Sequence, residues 1–222
     1  MKKIVSSGIP LVFTCVANPL IIGCPSIEKS GDGFTGATLY QDPFNFIVLA
    51  QMADPGRKVL GIIHSDDDNA IAFADEMGKK AEKIGVKVLA KGISKSDPII
   101  PAAEELIETG VESFAVPLDS YYGLNKQQYF NELCTLAAEN MIPVFCFANY
   151  DEKGALLYAG PDFNHIGMLS GTQAVKIIKD GVRPEEMPIL KQEELNIYVD
   201  KEKAAALDIS LSEKLLKAAK QR

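Results

Sequence analysis

Polar residues follow four short apolar runs of this sequence, and their types suit the binding of a small charged molecule. They stand at Thr14 to Asn18, His64 to Asn69, Asp119 to Tyr122, and Asn149 to Asp151. Hydroxyl and backbone N–H donors can hold a carboxylate, Asp119 or Asp151 can accept from an ammonium group, and tyrosine rings can cover an apolar part. If the runs are parallel strands, their carboxyl ends meet at one crevice. The alternative is that these residues are ordinary turn formers.

A glycine-rich segment, Gly31 to Gly36, matches the dinucleotide-binding pattern G-x-G-x-x-G letter for letter. That pattern holds a pyrophosphate only between a buried strand and the N-terminus of a helix. The preceding residues, Ser26 to Ser30, are too polar for such a strand, and Ala37 to Tyr40 leads into Pro43 and does not begin a helix. We therefore interpret these glycines as turn residues and predict no nucleotide cofactor.

The acidic run Asp66 to Asn69 lacks the alternating ligands, central glycine and distal glutamate of a calcium loop. Acidic side chains at the start of a helix cap its free N–H groups and match its dipole, and this is the role that we predict. The four cysteines form no Cys-x-x-Cys pair and the two histidines lie far from them, so no metal site is predicted. Cys15 and Cys146 stand in apolar runs and are expected to be buried.

The bulk composition favours an ordinary globular fold with a small ligand. The chain has 222 residues, 47% of them hydrophobic, and a net charge of −7. A nucleic-acid surface needs clustered Lys and Arg, which this sequence does not show. No nucleophile elbow, cysteine–histidine motif or Walker lysine is present. We predict a binding protein, not an enzyme, with no cofactor.

From residue 58 onward, short apolar runs alternate with longer amphipathic runs, which is the pattern of βαβ units around a parallel sheet. The predicted strands are 58–64, 86–90, 113–116 and 142–147, and the predicted helices are 69–84, 98–109 and 126–140. Outside this block, 11–16, 155–158 and 194–199 are predicted strands and 163–179 a predicted helix. This pattern predicts a two-lobed plan, with residues 1–40 and 148–222 in lobe one and residues 41–147 in lobe two.

Several segments follow one another in an order and at a spacing that indicate a family. They are Ile9 to Pro19, Gly31 to Gly36, Arg57 to Ile63, Val116 to Ser120, Ile142 to Phe145, Gly160 to Gly181, and Leu195 to Val199 followed by Ala205 to Ile209. In these segments the chain resembles the substrate-binding proteins of ABC transporters with the type I periplasmic-binding fold, some of which bind aromatic amino acids. The resemblance implies a two-lobed α/β protein with doubly wound parallel sheets that closes on an amino-acid-like ligand between its lobes.

The resemblance also implies ligand-site residues. They are Thr14, Asn18, Thr35, Gly36, Ser65, Asn69, Asp119, Ser120 and Asp151. Asp119 is the leading partner for a ligand ammonium group, and Asp151 aligns only across a gap. Asn18 stands where the family usually has Asp, and Ser65 where it usually has Asn, which leaves the ligand's identity open.

The resemblance further implies an extracytoplasmic location and an ABC permease as the partner. Lys2 and Lys3 before an apolar run ending at Cys24 imitate a lipoprotein signal. Pro10 and Pro19 interrupt that run, and we interpret it as a strand and a turn.

The export signal and the first βαβα portion of lobe one, which family members carry, have no counterpart in this sequence. We therefore expect an incomplete first lobe, with exposed apolar edges that favour a second copy or a complementing chain. Two alternatives stay open. One is a cytoplasmic ligand-sensing domain of the same fold, and the other is a sugar- or nucleotide-processing enzyme whose catalytic residues the sequence does not reveal.

Overall fold

The computed structural model describes residues 8–123, 125–150 and 152–221 of the chain. Its strands are β1 Leu11–Val16, β2 Phe34–Thr38, β3 Val59–Ser65, β4 Lys87–Ile93, β5 Ser113–Val116, β6 Val144–Cys146, β7 Leu157–Gly160, β8 Leu190–Lys191, β9 Asn196–Val199 and β10 Lys220–Gln221. Its α-helices are α1 Pro43–Ala53, α2 Asp68–Glu82, α3 Ile99–Glu108, α4 Ser120–Gly123, α5 Gln128–Glu139, α6 Phe163–Asp180, α7 Lys201–Ala206 and α8 Glu213–Ala218, with 3-10 turns at Asn125–Gln127 and Pro184–Glu186.

The chain forms two compact units. The first contains the described residues up to Gln41 together with Pro161–Leu195, and the second contains Asp42–Gly160 and the described residues from Asn196 onward. In the first unit the strand order is β1-β2-β8, with both neighbouring pairs parallel, and helix α6 packs on these strands. Phe13, Phe34 and Ile189 form the apolar core beside that sheet.

The second unit is a doubly wound α/β layer. Its described strands run β10-β9-β7-β6-β5-β3-β4, and each neighbouring pair is parallel except β7 with β9. Ile63 and Val116 pack into a core with helices α3 and α5. Phe46 of α1 and Phe73 of α2 pack with Phe147, with ring centroids 4.4 Å apart for Phe46 and Phe147 and 6.4 Å apart for Phe73 and Phe147. The order β4-β3-β5-β6-β7 is the flavodoxin-like doubly wound order.

Most strands and helices of the second unit lie where the sequence predicts them, and the α/β class with mainly parallel sheets is confirmed. Strand β5 has the predicted bounds, and helix α2 begins one residue earlier than predicted. Helix α1 was not predicted, because its sequence PFNFIVLAQMA is apolar on nearly every side and has no polar face to mark a helical period. Phe46, Ile47 and Ala50 of this helix are buried.

The two units differ in range from the predicted lobes. The prediction assigned all of 148–222 to lobe one, whereas β7 pairs with β6 and β9 pairs with β7 inside the seven-stranded sheet. These backbone hydrogen bonds bring 148–160 and the residues from Asn196 onward into the second unit. Short strands such as β7 carry no signal that tells which of two parallel sheets they join.

The cysteines follow the predictions in part. Cys146 is buried as expected, whereas Cys15 is only half-buried and has φ of 57°, at the point where the pairing of β1 with β2 shifts register. Cys24 is buried in the core of the first unit, and burial raises the pKa of its thiol. Within the described residues no helix has both the length and the apolar character needed to cross a bilayer.

Candidate functional site

The winding of the second unit's sheet reverses between β3 and β5. The chain passes from β3 to its neighbour β4 on one side and then returns to β5 on the other side. In doubly wound sheets, ligands bind beyond the carboxyl ends of the strands at such a reversal. Ser65 is the last residue of β3, and Asp119 lies three residues beyond the end of β5. Both residues therefore stand where this fold places binding sites.

A buried carboxylate joins these two strand ends. Asp119 is only 5% exposed, and its Oδ2 accepts a hydrogen bond from the backbone N–H of Ser65 at 2.7 Å. Its Oδ1 accepts from the Ser65 hydroxyl at 2.9 Å and from the Tyr121 backbone N–H at 2.9 Å. A carboxylate can accept about four hydrogen bonds, so Oδ2 keeps capacity for one more donor. The sequence suggested Asp119 as a ligand partner, and the structure also gives it a structural role.

Three tyrosines hold the loop that carries Asp119. The Tyr150 hydroxyl donates to the carbonyl oxygen of Asp119 at 3.1 Å, and the Tyr122 hydroxyl donates to the Ile63 carbonyl at 2.9 Å. The Tyr121 hydroxyl donates to the carbonyl of Asp97 at 2.8 Å. Burial raises the pKa of Tyr150 far above its ordinary value, with Cys146 and Asp119 adding to the effect. These hydroxyls therefore keep their protons and act as donors.

The start of helix α2 extends the same hydrogen-bond network toward solvent. The Asp67 backbone N–H donates to the Ser65 hydroxyl at 3.3 Å, and Asp67 Oδ1 accepts from the Asn69 backbone N–H at 3.0 Å and its side-chain amide at 3.2 Å. The predicted capping role of the acidic run is thus confirmed. Burial alone would raise the pKa of Asp67, but the Asn69 N–H and the Lys95 ammonium hold it below its usual range.

Four predicted site residues therefore meet in the second unit. Ser65 and Asp119 are bonded directly, Asn69 is half-buried and linked through Asp67, and Ser120 directly follows Asp119 and is exposed. This group, with Tyr150, is called the Asp119 cluster below. It offers one carboxylate, hydroxyl and amide donors, and a half-buried aromatic ring.

Thr35 lies in a second network, inside the first unit. It is fully buried, and its hydroxyl oxygen accepts from the Ser30 hydroxyl at 2.7 Å and from the Gln173 amide at 3.4 Å. Its hydroxyl also lies 3.4 Å from the Pro188 carbonyl oxygen, which accepts from the Gln173 amide at 2.6 Å. Every partner of this hydroxyl belongs to the first unit. We call Ser30, Thr35, Gln173 and Pro188 the Thr35 cluster.

The other predicted residues of the first unit have different surroundings. A Cβ atom at Gly36 would lie 2.1 Å from the Phe13 carbonyl oxygen, so glycine allows β1 and β2 to approach each other. Gly31 and Gly33 form the predicted turn, in which the Phe34 N–H donates to the Gly31 carbonyl at 3.3 Å, but Gly36 itself lies within β2. Asn18 Oδ1 accepts from the Leu20 N–H at 3.0 Å, which makes it a turn residue.

Thr14 keeps an exposed hydroxyl near the end of β1, and its closest polar contact is the Cys15 sulfur at 3.6 Å. Asp151, the remaining predicted residue, lies outside the described residues. Gln173 was not predicted, because its partner Thr35 is 138 residues away in sequence and no local pattern connects them. No group of three or more His, Cys, Asp and Glu side chains is placed to hold a metal ion within the described parts of the chain.

Comparison with known proteins identifies the family of this chain. A family model described as ABC transporter substrate binding protein matches residues 1–222. A tyrosine-binding protein of Clostridioides difficile (strain R20291) is 26% identical over 207 residues, which is 92% of this chain and 58% of that protein. The chain therefore spans little more than half the length of this curated relative.

Solved structures share the fold. The structure of an ABC domain in complex with L-Trp from Streptococcus pneumonia has a TM-score of 0.80 and 21% identity, and the match covers 96% of this chain and 71% of that chain. The ligand-free, open structure of a substrate binding protein with adhesive properties from Clostridium difficile has a TM-score of 0.74 and 25% identity, with the same two shares covered. The predicted family is confirmed, and because its model matches the full sequence, this chain belongs to the ABC transporter substrate binding protein family.

Proposed function

We propose that this chain is the substrate-binding component of an ABC import system, and that its ligand is an amino acid, with aromatic amino acids as the leading candidates. The observation that carries this proposal is the 26% identity to a tyrosine-binding protein over 92% of the chain. The family consists of proteins that bind ligands, in line with the prediction of a binding protein and not an enzyme.

The chemistry of the Asp119 cluster supports an amino-acid ligand. An amino acid needs an acceptor for its ammonium group and donors for its carboxylate. We propose that Asp119 Oδ2, which accepts one hydrogen bond within the protein, accepts the ammonium. Ser120, exposed beside it, and the half-buried Asn69 are the proposed donors to the ligand carboxylate.

Tyr150 supports the aromatic preference. Its hydroxyl is fixed on the Asp119 carbonyl, so its half-buried ring is held next to the proposed ammonium site. Aromatic rings pair favourably with one another in offset or edge-to-face geometry, beyond the gain from buried area. A ligand with an aromatic side chain would gain more from this ring than an aliphatic one.

We also propose an extracytoplasmic location and an ABC permease as the partner that receives the loaded protein. Both proposals rest on membership of the family. Labelling of intact cells with a reagent that does not cross the membrane tests the location. Co-purification with the permease in the presence of ligand tests the partner.

A thermal-shift screen of the purified chain tests the ligand class. A ligand that binds only the folded state raises the melting temperature, and the screen covers the twenty amino acids, sugars and nucleosides. We expect a rise with tyrosine, tryptophan or phenylalanine, and a smaller one or none with aliphatic amino acids. A rise confined to sugars or nucleosides would refute the proposal.

Two substitutions test whether a thermal shift arises from binding at the Asp119 cluster. Ser120→Ala removes an exposed hydroxyl and Asp119→Asn keeps the shape of the carboxylate but removes its charge. Both are expected to weaken the thermal shift, with the greater loss for Asp119→Asn because a charged hydrogen bond is stronger than a neutral one. Thr35→Val is the matched control in the first unit, and it should keep the full shift.

A further inference from the structure

Helix α6 packs on the sheet of the first unit through one face only. Ile166, Ser170 and Gln173 on that face are buried, and the helix contacts β1, β2 and β8. Much of the rest of its surface is exposed, including four large apolar side chains. Phe163 is 51% exposed, Met168 64%, Val175 48% and Ile178 82%.

These exposed apolar residues lie together on one side of the helix. At 100° per residue, Phe163, Gly167, Ile178, Gly171, Val175 and Met168 fall within an arc of about 140°, in that order around the axis. The same arc contains Ala174 and one polar residue, Asn164. The arc holds no charged residue. The other exposed side carries His165, Thr172, Lys176, Lys179 and Asp180. Helix α6 therefore has a buried face, a polar face and an uncovered apolar face, which we call the α6 apolar face.

The α6 apolar face can be paired with a second copy of itself by simple helix geometry. In an antiparallel pair of α6 helices, a two-fold axis can pass through Gly171. Each residue then lies opposite the residue of the second copy whose number is about 342 minus its own. Gly167 then lies opposite Val175 of the second copy, and Phe163 lies opposite the turn that carries Ile178. Gly171 meets Gly171 on the axis, where the absence of side chains permits close approach. By the same rule Met168 lies opposite Ala174, and Ile178 lies opposite Asn164, in the turn that also carries Phe163 and Gly167.

The uncovered area reaches the size that a dimer needs. The exposed parts of the four large side chains amount to roughly 500 Å² per copy, or roughly 1,000 Å² for a pair, which is near the lower limit for a specific interface. The largest exposed apolar patch of a protein is commonly about 300–600 Å² and is often functional. We propose that the α6 apolar face binds a second copy of this chain across a two-fold axis at Gly171, as a weak dimer.

Sedimentation velocity of the full chain from low to high micromolar concentration tests this proposal. We expect a concentration-dependent monomer–dimer equilibrium that Ile178→Glu weakens at least about tenfold, since a charge would then be buried in the interface, about two turns from the axis. The matched control is Ile84→Glu, an equally drastic change at a 40% exposed isoleucine of the second unit, which should leave the equilibrium unchanged.

Cysteine cross-linking tests the axis itself. A Cβ at Gly171 would meet nothing within 4 Å, so Gly171→Cys fits the fold and brings two thiols together across the axis. Mild oxidation should produce a disulfide-linked dimer of this variant at least about tenfold faster than of Lys176→Cys, which lies on the polar face. The unaltered chain controls for the half-buried Cys15.

A chain that stays monomeric at every concentration overturns the proposal, and so does a dimer that Ile178→Glu and Ile84→Glu affect equally. Equal cross-linking at positions 171 and 176 would place the interface elsewhere. Stable co-purification of a different polypeptide on this face, with no dimer, would also overturn it. Circular dichroism and thermal melting of each variant separate loss of the dimer from loss of the fold.

Discussion

The Asp119 cluster and the Thr35 cluster are built from similar residues, but they differ in what they leave accessible. Each is a network of hydrogen bonds next to strands of a mainly parallel sheet, one in each unit; the first is centred on a carboxylate and the second on a hydroxyl. The Asp119 network continues to the exposed Ser120 and the half-buried Asn69 and Tyr150. The Thr35 network ends within the first unit, because Ser30, Thr35 and Gln173 are all buried.

The difference separates polar residues that can meet a ligand from those that position the backbone. A buried hydroxyl with protein partners contributes to stability, and a ligand can reach it only by breaking those bonds. We therefore expect changes in the Asp119 cluster to alter both stability and ligand affinity. Changes in the Thr35 cluster should alter stability alone.

The largest effect is expected for Asp119→Ala. This change leaves the Ser65 N–H, the Ser65 hydroxyl and the Tyr121 N–H without their buried acceptor. We expect the free energy of unfolding to fall by about 3–5 kcal/mol, as measured by urea denaturation. A loss below about 1 kcal/mol would mean that the carboxylate does not hold the two strand ends together.

Thr35→Val should lower the free energy of unfolding by about 1–2 kcal/mol, because the Ser30 hydroxyl and the Gln173 amide lose an acceptor. Ligand affinity, measured by calorimetry, should not change. Thr14→Val is the control, since its hydroxyl is exposed and its removal should have little effect on stability. A clear fall in affinity with Thr35→Val would refute the division between the two clusters.

Tyr150→Phe removes the hydrogen bond from the Tyr150 hydroxyl to the Asp119 carbonyl oxygen. We expect a loss of about 1 kcal/mol in the free energy of unfolding and a modest loss of ligand affinity, because the ring stays but its position is less fixed. If affinity drops as far as with Asp119→Asn, the hydroxyl itself contacts the ligand.

The smallest expected effect is the contribution of the Asp67 charge to the free energy of unfolding, which changes only at acidic pH. Its folded pKa lies below the value of about 4 in an unfolded chain, so its contribution to stability is present above about pH 4 and is lost as the pH falls through the folded pKa. Asp67→Asn keeps the helix cap and removes the charge. The stability difference between this variant and the unaltered chain should therefore shrink between pH 7 and pH 3. A constant difference would show that the charge of Asp67 does not matter.

The sequence predicts the second unit better than the first. Alternating apolar and amphipathic runs identify β3 to β6 and their helices, since each strand is bounded by turn residues. Helix α1 was not predicted, because its residues are apolar on several sides and show no alternation of apolar and polar faces. Strand β8, with two residues, is too short for any pattern to identify.

The candidate site, too, could be predicted from the sequence only in part. The positions of Ser65 and Asp119 follow from their strands, so their meeting could be predicted from the rule for strand ends. The use of Thr35 within the fold could not be predicted, because it depends on Gln173 and on a carbonyl group at Pro188, both more than a hundred residues away. Residue type alone does not tell whether a hydroxyl is free or satisfied.

The most direct test of ligand binding at the Asp119 cluster is an NMR titration of the isotope-labelled chain with L-tyrosine and L-tryptophan, following the backbone amide signals of both clusters. We predict that the amides of Ser65, Asn69 and Ser120 shift with ligand concentration, whereas those of Thr35 and Gln173 do not. Shifts confined to Thr35 and its neighbours, or no shifts with any aromatic amino acid, would contradict it.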